Sequence, residues 1–241
     1  MSSPINHLRK WVNRFGYDVR RYVPFKVQPI DVFELAVRCR RNASPDFFFV
    51  QVGANDGAML DPIYPLVKEF RLKGLLVEPM PDFAKRLREN YSDQPQLVFE
   101  ECAISTENGE RELFRLRQGA YNSPYAGGLA SFDRNVLIRH SWAYPNVEKN
   151  IEVLRVPTLT ISSLFAKHGV KEVDLLLIDT EGFDAEVVRM VLAAGIRPAI
   201  LQYEHRHLSV DAMDKTCSAL AGQGYSFHFT RFDTLAILNS K

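Results

Sequence analysis

Three cysteines, Cys39, Cys102 and Cys217, are odd in number, widely spaced and without a CxxC pair. They support neither a disulfide framework nor a cysteine zinc site, and a reducing compartment is the expectation. No run approaches the roughly 18 consecutive apolar residues of a transmembrane helix, and the first 15 residues lack the apolar core of a signal peptide. A cytoplasmic protein is expected. The 30 Lys and Arg against 29 Asp and Glu leave a net charge of +1 with no long run of one sign, which removes the electrostatic case for a nucleic-acid partner. Internal repeats and low-complexity segments are missing too. What remains, 241 residues of which 46% are apolar, suits one α/β domain with a substantial core.

The chain is organised around Phe47 to Gly57, FFFVQVGANDG. The apolar run reads as a strand buried on both faces, as in the centre of a parallel sheet. Gly53 and Gly57 can take backbone angles closed to other residues and let a ligand approach bare N–H groups, with Asn55 and Asp56 adding polar side chains. A second buried strand, LLVEP, ends on Glu78, which is 21 positions past Gly57. An acidic residue at that distance, at the tip of the second strand of a doubly wound fold, hydrogen-bonds ribose hydroxyls. The glycine spacing is G-x-x-x-G and not the G-x-G-x-x-G of a dinucleotide turn, and Asp56 would repel phosphate. A ligand with a ribose and no phosphate fits better, which favours S-adenosylmethionine over NAD.

The rest of the chain repeats the strand and helix alternation. Residues 1–45 form an accessory segment in which Ile5, Leu8, Trp11, Val12 and Phe15 describe a basic amphipathic helix. That helix can lie on a membrane surface, grip a partner or pack on its own domain, residues 46–241. A second helix is expected over Asp31 to Arg41, with Val32, Leu35, Ala36 and Cys39 inward. Asp61-Pro62 and Pro81 are helix starts, Gln96 to Ser105 reads as a strand, and Asn108-Gly109 signals a tight turn into a small antiparallel extension. Residues 118–147 are aromatic-rich and aperiodic, a loop or lid that Tyr121, Tyr125, Trp142 and Tyr144 equip to bind an acceptor. Thr160 or Ser162 caps a helix ending at His168-Gly169, VDLLLID ends on Asp179, AILQY is followed by Glu204 and His205, Ser209 caps another helix, and two strands close the chain as a hairpin.

These motifs, VGANDG, LLVEP, CAIS with the following NG turn, LLIDTEGFDAEVV and LQYEH, resemble the FkbM family of Rossmann-like class I methyltransferases over residues 47–205. The resemblance implies a seven-stranded, mostly parallel sheet with one antiparallel strand and helices on both faces. It also implies S-adenosylmethionine as cofactor and O-methylation of a hydroxyl on a sugar, glycan or other small natural product. By motif, Gly53, Asn55, Asp56 and Gly57 would hold the methionine part, Glu78 with Pro79 the ribose, and Cys102 and Ala103 the adenine. Gln51 stands where many methyltransferases carry an acidic residue, so Asp56 or Asp179 takes over the contact to the methionine amino group.

Strand tips in open α/β sheets converge on the ligand, which makes His205, Asp179 and Glu181 the candidate catalytic groups, with His207 a further base. Asp179 and Glu204 with a neighbouring histidine can also hold a divalent ion, but the expectation is a site built from side chains alone, with no metal. Two other readings remain: a non-catalytic cofactor-binding or scaffolding module, and an NAD-linked oxidoreductase that the glycine spacing disfavours. Oligomeric state is not legible.

Overall fold

The computed structural model describes residues 30–123 and 125–239. The amphipathic stretch from Ile5 to Phe15 lies outside them. The compact unit begins at Val32, earlier than the expected boundary at residue 46. Helix α1 (Val32–Ala43) is part of it, because Phe33 and Val37 enter the core while Leu35 and Cys39 are exposed. The inward stripe is thus rotated from the expected one, and Cys39 is a surface residue: the aromatic Phe33 has more surface to bury than a cysteine.

The strands β1 (Phe48–Val52), β2 (Lys73–Val77), β3 (Leu97–Glu100), β8 (Leu175–Ile178), β9 (Ile200–Glu204), β10 (Tyr225–Phe229) and β11 (Asp233–Leu238) build a seven-stranded sheet ordered β10-β11-β9-β8-β1-β2-β3. Only β11 runs against the others. Both faces of the central strands β1, β2 and β8 are covered, which is why these strands read as buried apolar runs without polar alternation. Val50, Val52, Leu75, Val77, Leu176 and Ile178 point to the side of α5 (Ile161–His168), α6 (Asp184–Ala193) and α7 (Val210–Gly222). Phe49, Leu76, Leu175 and Leu177 point to the side of α1, α2 (Tyr64–Phe70) and α3 (Pro81–Asn90). Each fully buried Leu or Val contributes about 1.5–3 kcal/mol, so the register is firmly set.

That register positions the site. Val52 is level with Val77 and Ile178, and Ile178 with Tyr203. The next residue of each strand, Gly53, Glu78, Asp179 and Glu204, therefore stands in one row along the carboxyl edge.

The expected strand from Gln96 to Ser105 is two, β3 and β4 (Ala103–Ile104), in different sheets. A four-stranded second sheet, ordered β4-β7-β5-β6, contains β5 (Gly109–Leu116), β6 (Ala130–Ser131) and β7 (Ile151–Leu159). The antiparallel extension exists, but β5 pairs with β7 and not with β4. Asn108 accordingly makes no hairpin: its Oδ1 accepts from Thr160 N and its Nδ2 donates to Ser163 Oγ. The aperiodic segment between β5 and β7 is no loose loop, since it contains β6, α4 (Arg134–Ile138) and 3-10 turns around a small core of Leu116, Ala126, Leu137 and Val147. Helix α2 starts after Ile63, later than Asp61-Pro62 implied, because the Asp61 carboxylate accepts from Ile63 N in a local turn. The caps at Thr160, Gly169 and Ser209 and the terminal hairpin are as read. No helix among the described residues is long and apolar enough to cross a membrane.

Candidate active site

The chain leaves β1 through Gly53, whose N–H donates to Val77 O, and Gly53 takes φ +81. A Cβ placed there would stand 1.7 Å from the Asp179 carbonyl oxygen, so only glycine lets β1 and β8 approach this closely. Asn55 N donates to Glu78 Oε2 at 2.8 Å and Met80 N to Glu78 Oε1 at 3.0 Å. Glu78 is 3% exposed and ties the glycine turn to the end of β2. Burial pushes its carboxyl up to about 7, against the two N–H donors that favour ionisation.

A first cavity opens here, lined by Gly53, Asn55, Glu78, Pro79, Cys102, Ala103 and Asp179 of the expected cofactor set, with Met80, Ile104, Leu113 and Phe132 as an apolar wall. Its chemistry fits S-adenosylmethionine. A carboxylate has about four lone-pair sites, so Glu78 keeps capacity for two ribose hydroxyls, and the apolar wall suits a flat base. Two facing carboxylates, Glu78 and Asp179, would oppose a phosphate.

Three expected contacts fall outside this cavity. Asp56 turns away, its Oδ1 accepting from Ala58 N and Met59 N to brace the loop. Gly57 packs where a Cβ would run into Leu87 and Tyr91. Gln51 donates through Nε2 to Asp61 and lines a second cavity. Of Gln51, Asp56 and Asp179, only Asp179 lines the first cavity. Unforeseen in the sequence is Gly128, where a Cβ would stand 2.4 Å from Asn55 Nδ2. The Gly127-Gly128 pair was the available signal.

The second cavity, about 570 Å³, is lined by Tyr125, Trp142, Tyr144, His140, Gln202, Arg206 and Asp61 among others. It meets the first at Gly53, Asn55, Gly128, Asp179 and Glu181. Tyr121 is not part of it: it packs on Tyr144 with ring centroids 4.8 Å apart and donates to Pro145 O.

Between the cavities lies the turn after β8. Asp184 is fully buried and fixes it, accepting from Thr180 Oγ1, Gly182 N and Glu204 N. Glu181 is held at φ +51, a conformation that is uncommon for a non-glycine residue and concentrates at functional sites. Ser131 Oγ donates to its carbonyl. Its carboxylate Oε2 lies 2.9 Å from His207 Nε2 and 4.0 Å from His140 Nε2, and Glu204 Oε2 is 3.5 Å from His207 Nε2. None of these contacts has the alignment of a hydrogen bond, and all four atoms are buried without a partner.

Asp179 is solvent-accessible, but the open side faces the cavities it lines. Desolvation, then Glu181, Glu204 and Asp184, hold its carboxyl well above the usual range. Burial followed by Glu181 and Asp184 raises Glu204 in the same way, and burial lowers the pKa of His140. His205 is the expected catalytic group that the structure does not place here. It lines neither cavity, and its Nδ1 lies 3.0 Å from Thr234 Oγ1. Past β9 the chain curls, and His207 takes the inward position instead. His140 comes from the aperiodic insertion, where no spacing pointed to it.

A reversed β11 beside β9, helices on both faces and a buried acid at the second strand tip, lining the first cavity, define a class I, Rossmann-like methyltransferase fold. Residues 51–227 match the methyltransferase FkbM domain. The chain belongs to the FkbM methyltransferase family, and its cofactor is S-adenosylmethionine. Among solved structures it is similar to the FkbM methyltransferase of Methylobacillus flagellatus, with 15% identity and a TM-score of 0.50, over 80% of this chain but only 44% of that one. Weaker likenesses are to a precorrin-6y C5,15-methyltransferase of Geobacter metallireducens (10% identity, 90% and 94% covered, TM-score 0.45) and an S-adenosylhomocysteine-bound methyltransferase of Podospora anserina (12%, 100% and 89%, 0.45). At these identities the likeness is one of fold. A comparison with curated protein sequences finds no match.

The Glu78 environment makes a testable pH dependence. Ribose hydroxyls donate to the ionised carboxylate, so binding favours ionisation and lowers the pKa from its value of about 7 in the free protein. Below that pH a proton must leave on binding, and above it none must, so affinity rises with pH and then levels off. S-adenosylhomocysteine should bind roughly tenfold more tightly at pH 8 than at pH 6. The Glu78→Gln variant should bind more weakly at pH 8 and lose that part of the slope. Wild-type affinity that is flat across this window contradicts the assignment.

Proposed function

We propose that this methyltransferase acts on a hydroxyl oxygen of a sugar, glycan or other small hydroxyl-rich molecule bound in the second cavity. The observation that carries the reading is the composition of that cavity's lining, where the exposed Trp142 (76%) and Tyr125 (46%) present aromatic surface and His140, Asp61, Gln202 and Arg206 supply polar groups. Aromatic faces stack on the apolar face of a sugar ring while polar groups meet its hydroxyls.

When bound, the cofactor would supply an electrophilic methyl carbon to the acceptor oxygen, its sulfur keeping the electron pair of the C–S bond. Asp179, at the junction of the cavities and with a raised pKa, accepts the hydroxyl proton. Glu181 and His140 hold the hydroxyl in line. Buried acids and histidines with no partner are costly, and a scaffold without turnover would have no use for them.

Trp142→Ala tests the acceptor site. Because the side chain is largely exposed, its loss should leave stability within about 0.5 kcal/mol. The acceptor Michaelis constant should rise by about tenfold, as expected for about 1–1.5 kcal/mol of lost stacking, with S-adenosylhomocysteine affinity unchanged. An unaltered Michaelis constant would remove the acceptor from this face.

A further inference from the structure

We propose that His140, His207 and Glu181, with Glu204 beside them, form a binding site for one divalent transition-metal ion at the floor of the second cavity. This departs from the expectation of a metal-free site. Its existence rests on the geometry alone; its role in turnover rests on the reading of that cavity as the acceptor site.

Four observations carry it. The three ligand atoms, His140 Nε2, His207 Nε2 and Glu181 Oε2, all lie within 4.8 Å of one another. Glu181 Oε2 stands 2.9 Å from His207 Nε2 and 4.0 Å from His140 Nε2, and Glu204 Oε2 is 3.5 Å from His207 Nε2, separations that suit one coordination sphere. At metal–ligand distances of about 2.1 Å, neighbouring ligands stand roughly 3 to 3.4 Å apart and opposite ones roughly 4.2 Å. Second, both histidine side chains are 94% buried by complement of their 6% exposure, and both Nε2 atoms are without a hydrogen-bond partner, as are Glu181 Oε2 and Glu204 Oε2. Four polar atoms that point at one another and bond to nothing are each expensive in a protein interior, and one cation satisfies all four.

Third, the ligands arrive from three separate parts of the chain: the insertion after β6, the turn after β8 and the segment after β9. The His140 and His207 rings lie with centroids 5.4 Å apart and planes tilted by 46°. The turn that carries Glu181 is locked by Asp184. Fourth, Glu181 and His140 line the acceptor cavity, so a coordination position opens toward a substrate hydroxyl. Two imidazoles with carboxylates select Mn²⁺, Fe²⁺ or Zn²⁺ over Mg²⁺, which prefers oxygen ligands alone. An ion there would orient the acceptor hydroxyl and make its proton easier to lose to Asp179, which lies next to the ligand set.

The test is direct metal binding by the full chain without cofactor or acceptor. Chelator-stripped protein is titrated with Zn²⁺, Mn²⁺ and Mg²⁺ in separate calorimetric runs, with elemental analysis after dialysis. One ion of Zn²⁺ or Mn²⁺ per chain, and much weaker Mg²⁺ binding, is expected. His140→Ala and His207→Ala should each weaken that binding by at least the roughly 100-fold that loss of a supporting partner alone can cost, while S-adenosylhomocysteine affinity stays at the wild-type value and certifies the fold. Absence of stoichiometric binding in the wild type overturns the site, whatever the variants do. So does binding that survives both substitutions. A protein that binds the ion but methylates no hydroxyl compound keeps the metal site and refutes the acceptor reading; one that methylates hydroxyls with no ion bound does the reverse.

Discussion

Replacing Glu181 with glutamine is expected to lower turnover by about 100-fold or more while the protein stays folded and still binds S-adenosylhomocysteine. Glutamine keeps the volume and removes the negative charge at the point where the two cavities meet. A group that positions or deprotonates the nucleophile contributes about 10²- to 10⁴-fold, whereas the other groups that line the first cavity, Glu78, the glycine turn and Asp179, are left unchanged by the substitution. Single-turnover measurements with saturating cofactor separate the two effects. A variant that keeps wild-type turnover would mean that Glu181 only shapes the loop, its backbone at φ +51 braced by Ser131 and Asp184.

The Gly53→Ala variant is expected to be the most destabilised single-methyl change in the site. Its Cβ would meet the Asp179 carbonyl oxygen at 1.7 Å, and neither backbone can retreat, because Asp179 N already donates to Val52 O at 2.9 Å in the β1–β8 ladder. Overpacking costs about 1–3 kcal/mol, and a left-handed conformation costs a residue with a Cβ about 1–2 kcal/mol more. A loss of about 2–5 kcal/mol should appear in urea unfolding, with a melting temperature lower by about 10 °C in a chain of this size. Stability within about 1 kcal/mol of wild type would show that the close approach of β1 and β8 is not required.

The central sheet was legible because its strands are buried on both faces and write themselves as unbroken apolar runs, VDLLLID being the plainest. The row of residues at the sheet edge was legible for a related reason: a parallel register puts the residues after those runs, Gly53, Glu78, Asp179 and Glu204, side by side. The second sheet was not. The partner of β5 is β7, across the whole insertion, and local turn chemistry at Asn108-Gly109 carries no information about a pairing that distant. His140 escaped for the same reason, being brought to Glu181 by tertiary packing of a segment without period. His205 and His207 sit two residues apart past a strand end, and only the curl of the chain decides which one faces inward. Asp56 and Gly57 belong to the glycine motif but serve the turn itself, bracing Ala58 and Met59 and making room for Leu87 and Tyr91.

The most direct trial of the account is transfer from S-adenosylmethionine isotopically labelled in its methyl group to a panel of sugars, glycans, phenols, peptides and RNA, with the labelled atom located in the product by NMR. The account predicts label in a methyl ether on a hydroxyl oxygen of a sugar, glycan or similar small molecule, lost in the Glu181→Gln variant. Label on nitrogen, carbon or sulfur, or on peptide or RNA with no hydroxylated small molecule or glycan accepting it, would contradict it.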